Sequence, residues 1–592
     1  MARMRSLIAA LGWYAAPLAV AVVLALLVLG PALGPGVVLA YDLGWSPDPR
    51  LTPFVTGTGS VAPRAVPSDA VGVVLGRVVG AGAAQTIVLL AVVILAGLGP
   101  VALLRRLRPQ VGVLGRCAAA TVGIWNPFVA ERLAIGQWTI VLGYGLSALG
   151  LRAVLGWRAG TTRLTVVCGC IGAAALGGAN TLLMVVGPVV LLTIWPARWT
   201  PGPAPLARLR AGLSIVAVTL GLAAVWALPA IAADVRGDPV GGRAFAARPD
   251  TPFGLVVSLL SGGGMWNQAS HPAPRAALLP AAAATALVMM VVAIAARVVR
   301  LDARGRGATI AVAASGVLGL CAVAVSGLEP LAAGWARGLD LLPGGALLRD
   351  SQKLLAGWVL VLALASGLAV ERLWRRPGQD PTRVLAVVLA LLPLAVLPTL
   401  AWGVGGRWRP VDVPGDFRAA AAELSTRPPG LVAVLPWLQY RRYPWNDDRV
   451  ALTVAPRIVD QPVLVSDDLL TWAGWVRGED GRAALVREAI DAGEDPVTAV
   501  RRAGARYVFI ELDSAVPLPS TSEGTIVHRS ATVLVVDLGE VRVRPPAGPA
   551  RWPIRVGWAV SLFTEASVLA GLGFHRRFSG QLRVNPLLPF GT

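Results

Sequence analysis

The stretch AQTIVLLAVVILAGLGPVALL (residues 84–104), followed at once by RRLRPQVGVLGR (105–116), decides the fold class of this 592-residue chain. The first part is an apolar run long enough to cross about 30 Å of hydrocarbon. The second part is a short loop rich in arginine. An apolar run that ends in arginines is typical of a membrane helix whose end meets the cytosol. The stretch therefore predicts an integral membrane protein.

The composition excludes a soluble globular protein and argues against a nucleic-acid partner. The chain is 55% hydrophobic and 15% charged, with a mean hydropathy of +0.66. Its formal net charge is +20, but the arginines cluster in short loops between apolar runs rather than in one tail or on one face. This is the distribution of cytosolic loops in a multi-pass membrane protein, so we expect no nucleic-acid binding.

Apolar runs predict about twelve membrane spans, and arginine-rich loops follow at every second connection. We therefore expect a mainly α-helical bundle in the cytoplasmic membrane, with both termini in the cytosol. The pair of runs within 164–195 predicts two short helices or a re-entrant hairpin, because arginines flank both outer ends. The predicted spans are 11–31, 84–104, 113–126, 138–156, 164–179, 181–195, 211–233, 276–296, 307–327, 352–370, 384–404 and 556–574.

The chain divides into three predicted parts. Residues 1–404 form the membrane bundle, whose long first outer loop (32–83) carries a helix along the membrane surface. Residues 405–555 have shorter apolar runs and alternate between helix and strand patterns, which predicts an extracytoplasmic α/β domain. Residues 556–592 form a final span and a cytosolic tail.

An acidic residue, Asp42, follows the first predicted span. Ionisable groups near hydrocarbon cost a few kcal/mol, so their presence indicates either function or pairing. A carboxylate at this position is a candidate general base, which would take a proton from an acceptor hydroxyl at the membrane surface. The alternative is a loop aspartate that forms a turn with Gly44.

The segment NPFVAERLAIGQW (126–138) places Glu131, Arg132 and Gln137 in a largely apolar stretch at the outer side. Arg132 is a candidate ligand of an anionic lipid head group, and Glu131 and Gln137 are candidate contacts of a sugar or acceptor. Glu131 and Arg132 could instead form an ion pair with a structural role.

A second outer segment, GGGMWNQASH (262–271), offers Trp266, Asn267 and His271 as candidate sugar or acceptor ligands. An aromatic platform with an amide and an imidazole suits the alternating apolar and hydroxyl faces of a sugar. A tryptophan that only anchors the chain at the membrane interface explains the same pattern.

The segment LLRDSQK (347–353) contains the only lysine of the chain. On an α-helix, Arg349 and Lys353 share a face because they are four residues apart. Two cations at the outer end of a span are candidate ligands for the phosphate of a lipid carrier, helped by the helix dipole. The alternative is snorkelling of Lys353 combined with pairing to Asp350.

Several other functions lack their motifs. The chain has no P-loop, no GxGxxG fingerprint after a strand, no HExxH and no GxSxG, which speaks against an ATP-driven pump or a membrane metalloprotease. The four cysteines lie in apolar runs without zinc spacing, so no metal ligands are predicted. The sequence indicates no specific cofactor. A divalent metal is an alternative that no paired-acid motif supports.

Four motifs together resemble a group of large actinobacterial integral membrane proteins: PRAVPSDAV (63–71), NPFVAERLAIGQW, GGGMWN (262–267) and LLRDSQK. The resemblance covers about 40–360. The layout is similar to that of the GT-C superfamily of membrane glycosyltransferases and of YfhO-like membrane proteins.

This resemblance implies an enzyme that uses polyprenyl-phosphate sugars at the outer face and inverts the anomeric centre. Asp42 best matches the acidic residue that GT-C enzymes carry in the first outer loop. The loop departs from the common pattern because it has no adjacent acidic pair, which leaves metal dependence in doubt.

The leading hypothesis is therefore an inverting glycosyltransferase for cell-envelope glycan or glycolipid synthesis. Its expected partners are a polyprenyl-phosphate sugar lipid, an envelope glycan or glycolipid acceptor, and the bilayer. One alternative is a lipid-linked saccharide transporter or flippase, which needs no base. The other is a non-catalytic envelope-assembly protein that uses YRRYPWNDDR (440–449) as a contact surface.

Overall fold

The computed structural model shows a helical membrane bundle that carries a smaller domain with a β-sheet near its C-terminus. The predicted tail beyond 578 lies outside the described residues, as do short internal segments. Side chains are described from 12 to 573. The described residues are 2–59, 63–196, 200–233, 235, 237–303, 305–342, 344–376, 380–512, 524–540 and 550–578.

Within the described part of the chain, eight helices are long and apolar enough to cross a membrane. Each coincides with a predicted span, because a long apolar run can satisfy its backbone polar groups in lipid only as a helix. These helices are Ala2–Leu29, Ala81–Leu107, Trp138–Arg158, Pro205–Ala232, Leu278–Leu301, Arg306–Gly327, Ala356–Trp374 and Arg551–Phe578.

The predicted number of about twelve spans is not confirmed. The runs at 113–126 and 164–179 form helices of only 12 residues, which is about 18 Å of rise. The run at 384–404 is a helix pair bent by 60°, which would make a ninth span if it crosses as one unit. The shorter apolar helices are Val113–Ile124, Leu164–Ala175 and Ala179–Ile194, and the bent pair is Asp380–Val396 with Pro398–Gly406.

Short helices occupy the loops at the end of the bundle that faces the domain. The predicted surface helix is present as Ser68–Val79, and its Val74, Val78 and Val79 side chains are exposed. The helix Pro127–Ala134 carries two of the candidate site residues. The other helices of these loops are Pro53–Thr56, Val240–Ala244, Gly254–Leu260, Ala273–Ala276 and Leu331–Leu341, with 3-10 turns at Gly30–Leu33, Gln268–Ser270, Gly345–Leu348 and Ser351–Leu355.

The C-terminal α/β domain is built on a five-stranded mixed sheet, as the strand patterns predict. In spatial order the strands are Thr525–Arg529, Val533–Asp537, Ala505–Glu511, Leu431–Leu435 and Val463–Leu464. Helices Gly415–Ser425, Gly481–Asp491 and Pro496–Arg502 cover the sheet. Two-stranded pairs join Tyr440–Arg442 to Val450–Leu452 and Leu469–Thr471 to Gly474–Val476.

The domain docks on the first loop of the bundle through a continuous apolar core. Along the strand Leu431–Leu435, Val432 and Val434 face this core, while Ala433 faces the opposite one, as the two-residue period of a strand requires. The core that contains the two valines also contains Leu39 and Trp45 of the first loop. The first loop therefore lies between the bundle and the domain and packs against both. The candidate site lies in this loop.

Candidate active site

Asp42 sits in a tight turn that both parts of the molecule hold by backbone hydrogen bonds. Its own N–H donates to the carbonyl of Ile135 in the bundle at 3.0 Å, and the N–H of Tyr41 donates to the carbonyl of Val450 in the domain at 2.7 Å. Tyr41 has φ +47°, a left-handed conformation that non-glycine residues adopt at a cost. The turn is therefore fixed from two sides.

The close approach of the bundle to this turn depends on Gly136. Gly136 has φ +77°, and a Cβ atom there would lie 2.2 Å from the backbone nitrogen of Leu43 and 2.4 Å from the carbonyl oxygen of Ala40. Only glycine fits such a position. The glycine of the AIGQW segment thus lets Gln137 reach Asp42.

Two hydrogen-bond donors hold the Asp42 carboxylate, which is half-buried. Gln137 donates through Nε2 to Oδ2 at 2.8 Å, and the hydroxyl of Tyr440 donates to Oδ1. Burial raises the pKa of Asp42 above its ordinary value, while the hydrogen bonds from Tyr440 and Gln137 lower it. Each carboxylate oxygen has a second lone pair, so the group can still accept a hydrogen bond from a substrate hydroxyl.

Arg132 connects Asp42 to the segment that holds the lone lysine. Its guanidinium is completely buried and donates to Gln137 Oε1 at 2.5 Å, which orients the amide of Gln137 towards Asp42. It also donates to both oxygens of Asp350, at 2.5 and 3.0 Å, and to Gln352 Oε1 at 2.5 Å. Two distant sequence motifs therefore meet at one arginine.

The contacts of Arg132 favour a role in positioning neighbouring side chains over direct binding of a ligand. The residue lies in the helix Pro127–Ala134, which starts at an Asn126 cap whose side chain accepts from the N–H of Val129 at 2.9 Å. With no exposed surface and three side-chain partners, Arg132 is not open to a lipid phosphate in this structure. Its predicted role as a donor-phosphate ligand stays a prediction.

Glu131 is also fully buried and lies on the far side of Gln352, away from Asp42. Its carboxyl accepts from Gln352 Nε2 at 3.0 Å and from the N–H of Gly264 at 3.3 Å. Burial, and then the neighbouring Asp250 carboxylate, raise the pKa of Glu131 well above its ordinary value. The Glu131–Arg132 ion pair considered from the sequence is replaced by Arg132–Asp350, and the sugar-contact role of Glu131 remains untested.

Asp250 and Arg275 complete the buried polar group beside Glu131. Both side chains are almost inaccessible, and Arg275 donates to the two oxygens of Asp250 through Nε and Nη2. The glycine-rich segment passes directly against this pair, since a Cβ atom at Gly263 would lie 2.3 Å from Asp250 Oδ2. The glycines therefore allow the backbone of this segment to pack closely against a buried ion pair.

The expectation that Arg349 and Lys353 share a helical face is wrong. Residues 351–355 form a 3-10 helix, and the α-helix begins only at Ala356. With about three residues per turn, positions four apart point in different directions. Lys353, which is 2% exposed, donates to Asn180 Oδ1 at 2.6 Å and to the carbonyl of Leu347. Its predicted role as a phosphate ligand stays a prediction.

Arg349 points instead towards the domain and meets Arg64 of the first loop at one carboxylate. Glu479 accepts from Arg64 Nε at 3.1 Å and pairs with Arg64 Nη2 at 3.0 Å, while Arg349 Nη1 lies 3.8 Å from its other oxygen. Arg64 and Arg349 retain 41% and 22% side-chain exposure. Arg64 is also close enough to Asp42 to lower the pKa of that carboxyl. Arg64 is therefore an accessible cation near the candidate base, and Arg349 shares its Glu479 partner.

The aromatic candidate Trp266 belongs to the same side of the site. Its ring packs edge-on against Phe245 at 4.7 Å between centroids, and the guanidinium of Arg349 lies over Phe245 at 4.9 Å. Asn267 caps a 3-10 turn by accepting from the N–H of Ala269, and His271 Nε2 contacts the carbonyl of Met265 at 2.7 Å. The structure thus brings Trp266 near Arg349, while Asn267 and His271 make contacts within their own loop.

Sequence reasoning missed three residues of this site, Arg64, Tyr440 and Glu479. Each comes from a part of the chain that is distant from its partner, and Asp42 and Tyr440 are 398 positions apart. Some information was present, since Arg64 lies in one motif of the resemblance and Tyr440 opens the segment singled out as a contact surface. Among the described residues, no group of three His, Cys, Asp or Glu side chains could hold a metal ion.

No family model matches the chain, and no curated protein matches its sequence significantly. The structure is similar to the cryo-EM structure of the arabinofuranosyltransferase AftD from mycobacteria, with 15% identity and a TM-score of 0.55 over 89% of this chain and 40% of that chain. A point mutant of AftD matches with 16% identity and a TM-score of 0.56, over 90% and 42% of the two chains.

This chain therefore spans less than half the length of the AftD chains it matches. At such low identity the likeness concerns the fold. AftD is a membrane glycosyltransferase of the GT-C type. The chain is accordingly a multi-pass membrane protein with a GT-C-like fold, as the sequence resemblance predicts.

Proposed function

We propose that the protein is a membrane glycosyltransferase that uses a polyprenyl-phosphate-linked sugar. In this proposal it acts at the outer face of the cytoplasmic membrane, in the synthesis of a cell-envelope glycan or glycolipid. The observation that carries the proposal is the Asp42 carboxylate, fixed by Gln137 and Tyr440 near the accessible Arg64 on a GT-C-like fold.

The proposed reaction is a single displacement at the anomeric carbon. Asp42 accepts the proton of an acceptor hydroxyl, and the acceptor oxygen forms a bond to C1 of the sugar. The bond between C1 and the phosphate oxygen breaks, and its electron pair leaves with polyprenyl phosphate. Attack from the face opposite the phosphate inverts the anomeric configuration, and the protonated Asp42 then returns its proton to water.

The raised pKa of Asp42 suits this role, because a base works best when its pKa approaches the working pH. The negative charge that develops on the leaving phosphate requires fixed cations nearby. We assign this task to Arg64 and Arg349, which share the single carboxylate of Glu479. A donor phosphate would compete with Glu479 for both guanidinium groups.

Transfer assays with purified protein in lipid vesicles test the proposal. AftD is named an arabinofuranosyltransferase, so polyprenyl-phosphate-linked arabinofuranose is the first donor to try, followed by other pentose and hexose donors. We expect transfer of label from at least one donor to a soluble glycan or glycolipid acceptor, with release of polyprenyl phosphate. Absence of transfer across the panel, from protein shown to be folded, would argue for the transporter alternative.

Replacing Arg349 or Arg64 with Ala should weaken the binding of polyprenyl phosphate. Hydrogen bonds to a charged group contribute about 1.5–3 kcal/mol each, which corresponds to a loss of affinity of about tenfold to a hundredfold. Binding can be measured by microscale thermophoresis with short-chain polyprenyl phosphate. The matched control is Arg477→Ala, an exposed arginine of the domain that pairs with Glu488. Equal affinities for all three variants would remove these arginines from the phosphate site.

Lys353→Ala tests whether the buried lysine binds the lipid phosphate, as we propose for the accessible arginines. Because its ammonium group already binds Asn180 and the Leu347 carbonyl, we expect a lower melting temperature and an affinity for polyprenyl phosphate within about threefold of wild type. A tenfold weaker affinity in a variant with unchanged melting temperature would instead restore Lys353 as a direct phosphate ligand.

The proposed location of the site outside the cytosol predicts that the α/β domain is accessible in intact cells. The native cysteines Cys117, Cys168, Cys170 and Cys321 are free and would first be replaced by Ser. A cysteine at exposed Ser425 should then react with an impermeant maleimide before lysis. Labelling that appears only after lysis would show that the domain lies in the cytosol and that the proposed topology is wrong.

A further inference from the structure

We propose that the C-terminal α/β domain completes the reaction site, with Tyr440 as the positioning residue of Asp42. This role rests on the function proposed above. It makes the domain part of the catalytic apparatus instead of an appended module.

One strand pair of the domain holds the Asp42 turn through a side chain and through its backbone. Tyr440 is the first residue of the strand Tyr440–Arg442, and its hydroxyl donates to Asp42 Oδ1. The partner strand Val450–Leu452 supplies the carbonyl that accepts from the N–H of Tyr41 at 2.7 Å. Two contacts of different kinds therefore reach one turn from one pair of strands.

The left-handed conformation of Tyr41 shows that the turn is held under strain. A non-glycine residue with φ +47° persists where the surroundings determine its conformation. The ring of Tyr41 lies 6.2 Å from the ring of Tyr440, so the same tyrosine of the domain contacts both residues of the turn. Without the domain, the contacts of the turn to the bundle would remain, but those to Tyr440 and Val450 would be lost.

The groups around Asp42 explain why a neutral donor is placed there. Asp350 is negative and opposes ionisation of Asp42, whereas Arg64 favours it. Gln137 and Tyr440 donate to the ionised carboxylate. Burial, and then the charge of Asp42, raise the pKa of Tyr440 well above its ordinary value, so the phenol stays protonated and remains a donor.

Loss of the Tyr440 hydroxyl should therefore shift the pKa of Asp42 in a defined direction. The ionised form of Asp42 loses one of its two donors, while the repulsion from Asp350 is unchanged, so the pKa of Asp42 should rise. A base must be ionised to act, and activity is lost as the pH falls through its pKa. The acidic limb of the kcat/KM profile should consequently move to higher pH in Tyr440→Phe.

The test is an infrared titration of the Asp42 carboxyl, obtained as the difference between spectra of the full chain and of the same chain carrying Asp42→Asn. In Tyr440→Phe, the midpoint should rise by about one pH unit relative to wild type. The matched control is Tyr443→Phe in the same domain. Tyr443 is buried and donates to Glu511 at 2.8 Å, so its loss should leave the Asp42 midpoint unchanged.

This spectroscopic readout does not depend on knowing the substrate. An unchanged midpoint in folded Tyr440→Phe would overturn the positioning role, even if the protein proves to be a glycosyltransferase. A raised midpoint supports it, and the transfer assay then decides separately whether Asp42 is a catalytic base. An equal rise in Tyr443→Phe would also overturn it, because the effect would then come from general loosening of the domain.

Discussion

Asp42→Asn is expected to lower the rate of glycosyl transfer by about 10²–10⁴-fold. The amide has nearly the same shape as the carboxylate, but it cannot take a proton from the acceptor hydroxyl. Gln137 and Tyr440 remain beside it, so the turn should keep its place. Initial rates with a lipid-linked donor and saturating acceptor measure the effect, and a melting curve confirms folding.

The matched control for this substitution is Asp48→Asn. Asp48 is an acid of the same loop that pairs with Arg50 at 2.7 Å and is partly exposed. We expect its loss to change the rate by less than about fivefold, since the loss of a partly exposed ion pair changes a free energy by at most about 1 kcal/mol. Full activity of Asp42→Asn would eliminate Asp42 as the base and with it the proposed mechanism.

Arg132→Ala is expected to destabilise the protein by about 3–5 kcal/mol. The substitution leaves Asp350 without its bidentate partner and deprives Gln137 and Gln352 of the donor that each accepts from. It also opens a cavity at a side chain with no exposed surface. Denaturant titration in detergent, followed by tryptophan fluorescence, measures the free energy of unfolding.

Arg427→Ala is the matched control, because Arg427 and Glu423 form an exposed pair with 41% and 39% side-chain exposure. Its expected cost is below about 1 kcal/mol. The double variant Arg132→Ala/Asp350→Ala should be more stable than the sum of the two single changes predicts, since it removes both charges. A loss near that of Arg427→Ala would show that Arg132 has no special structural role.

The helical bundle was predictable because membrane insertion imposes a simple rule on the sequence. Long apolar runs such as 84–104 must form helices, and loops such as 105–116 carry the excess of arginine that is typical of cytosolic loops. The number of spans was not predictable in the same way. Runs such as 113–126 are apolar enough for lipid, but the Trp125 that ends the helix is buried inside the protein and donates to Leu397.

The residues of the site were partly predictable, but most of their partners were not. Ionisable groups in apolar surroundings need partners, which singled out Arg132, and its partner in the structure is Asp350 of the LLRDSQK segment. Local spacing misplaced Lys353, because the i,i+4 rule assumes an α-helix where the chain forms 3-10 turns. Tyr440 approaches Asp42 only through docking of the domain, and no local period in the sequence encodes such a contact.

The most direct test of the central claim is the fate of a sugar carried on radiolabelled polyprenyl phosphate in proteoliposomes. The account predicts that wild-type protein transfers the sugar to an acceptor with inverted anomeric configuration, shown by NMR of the product. Asp42→Asn protein should leave the sugar on its lipid. Movement of the intact sugar lipid to the other leaflet, at equal rates for both proteins and without transfer to any acceptor, would contradict the account.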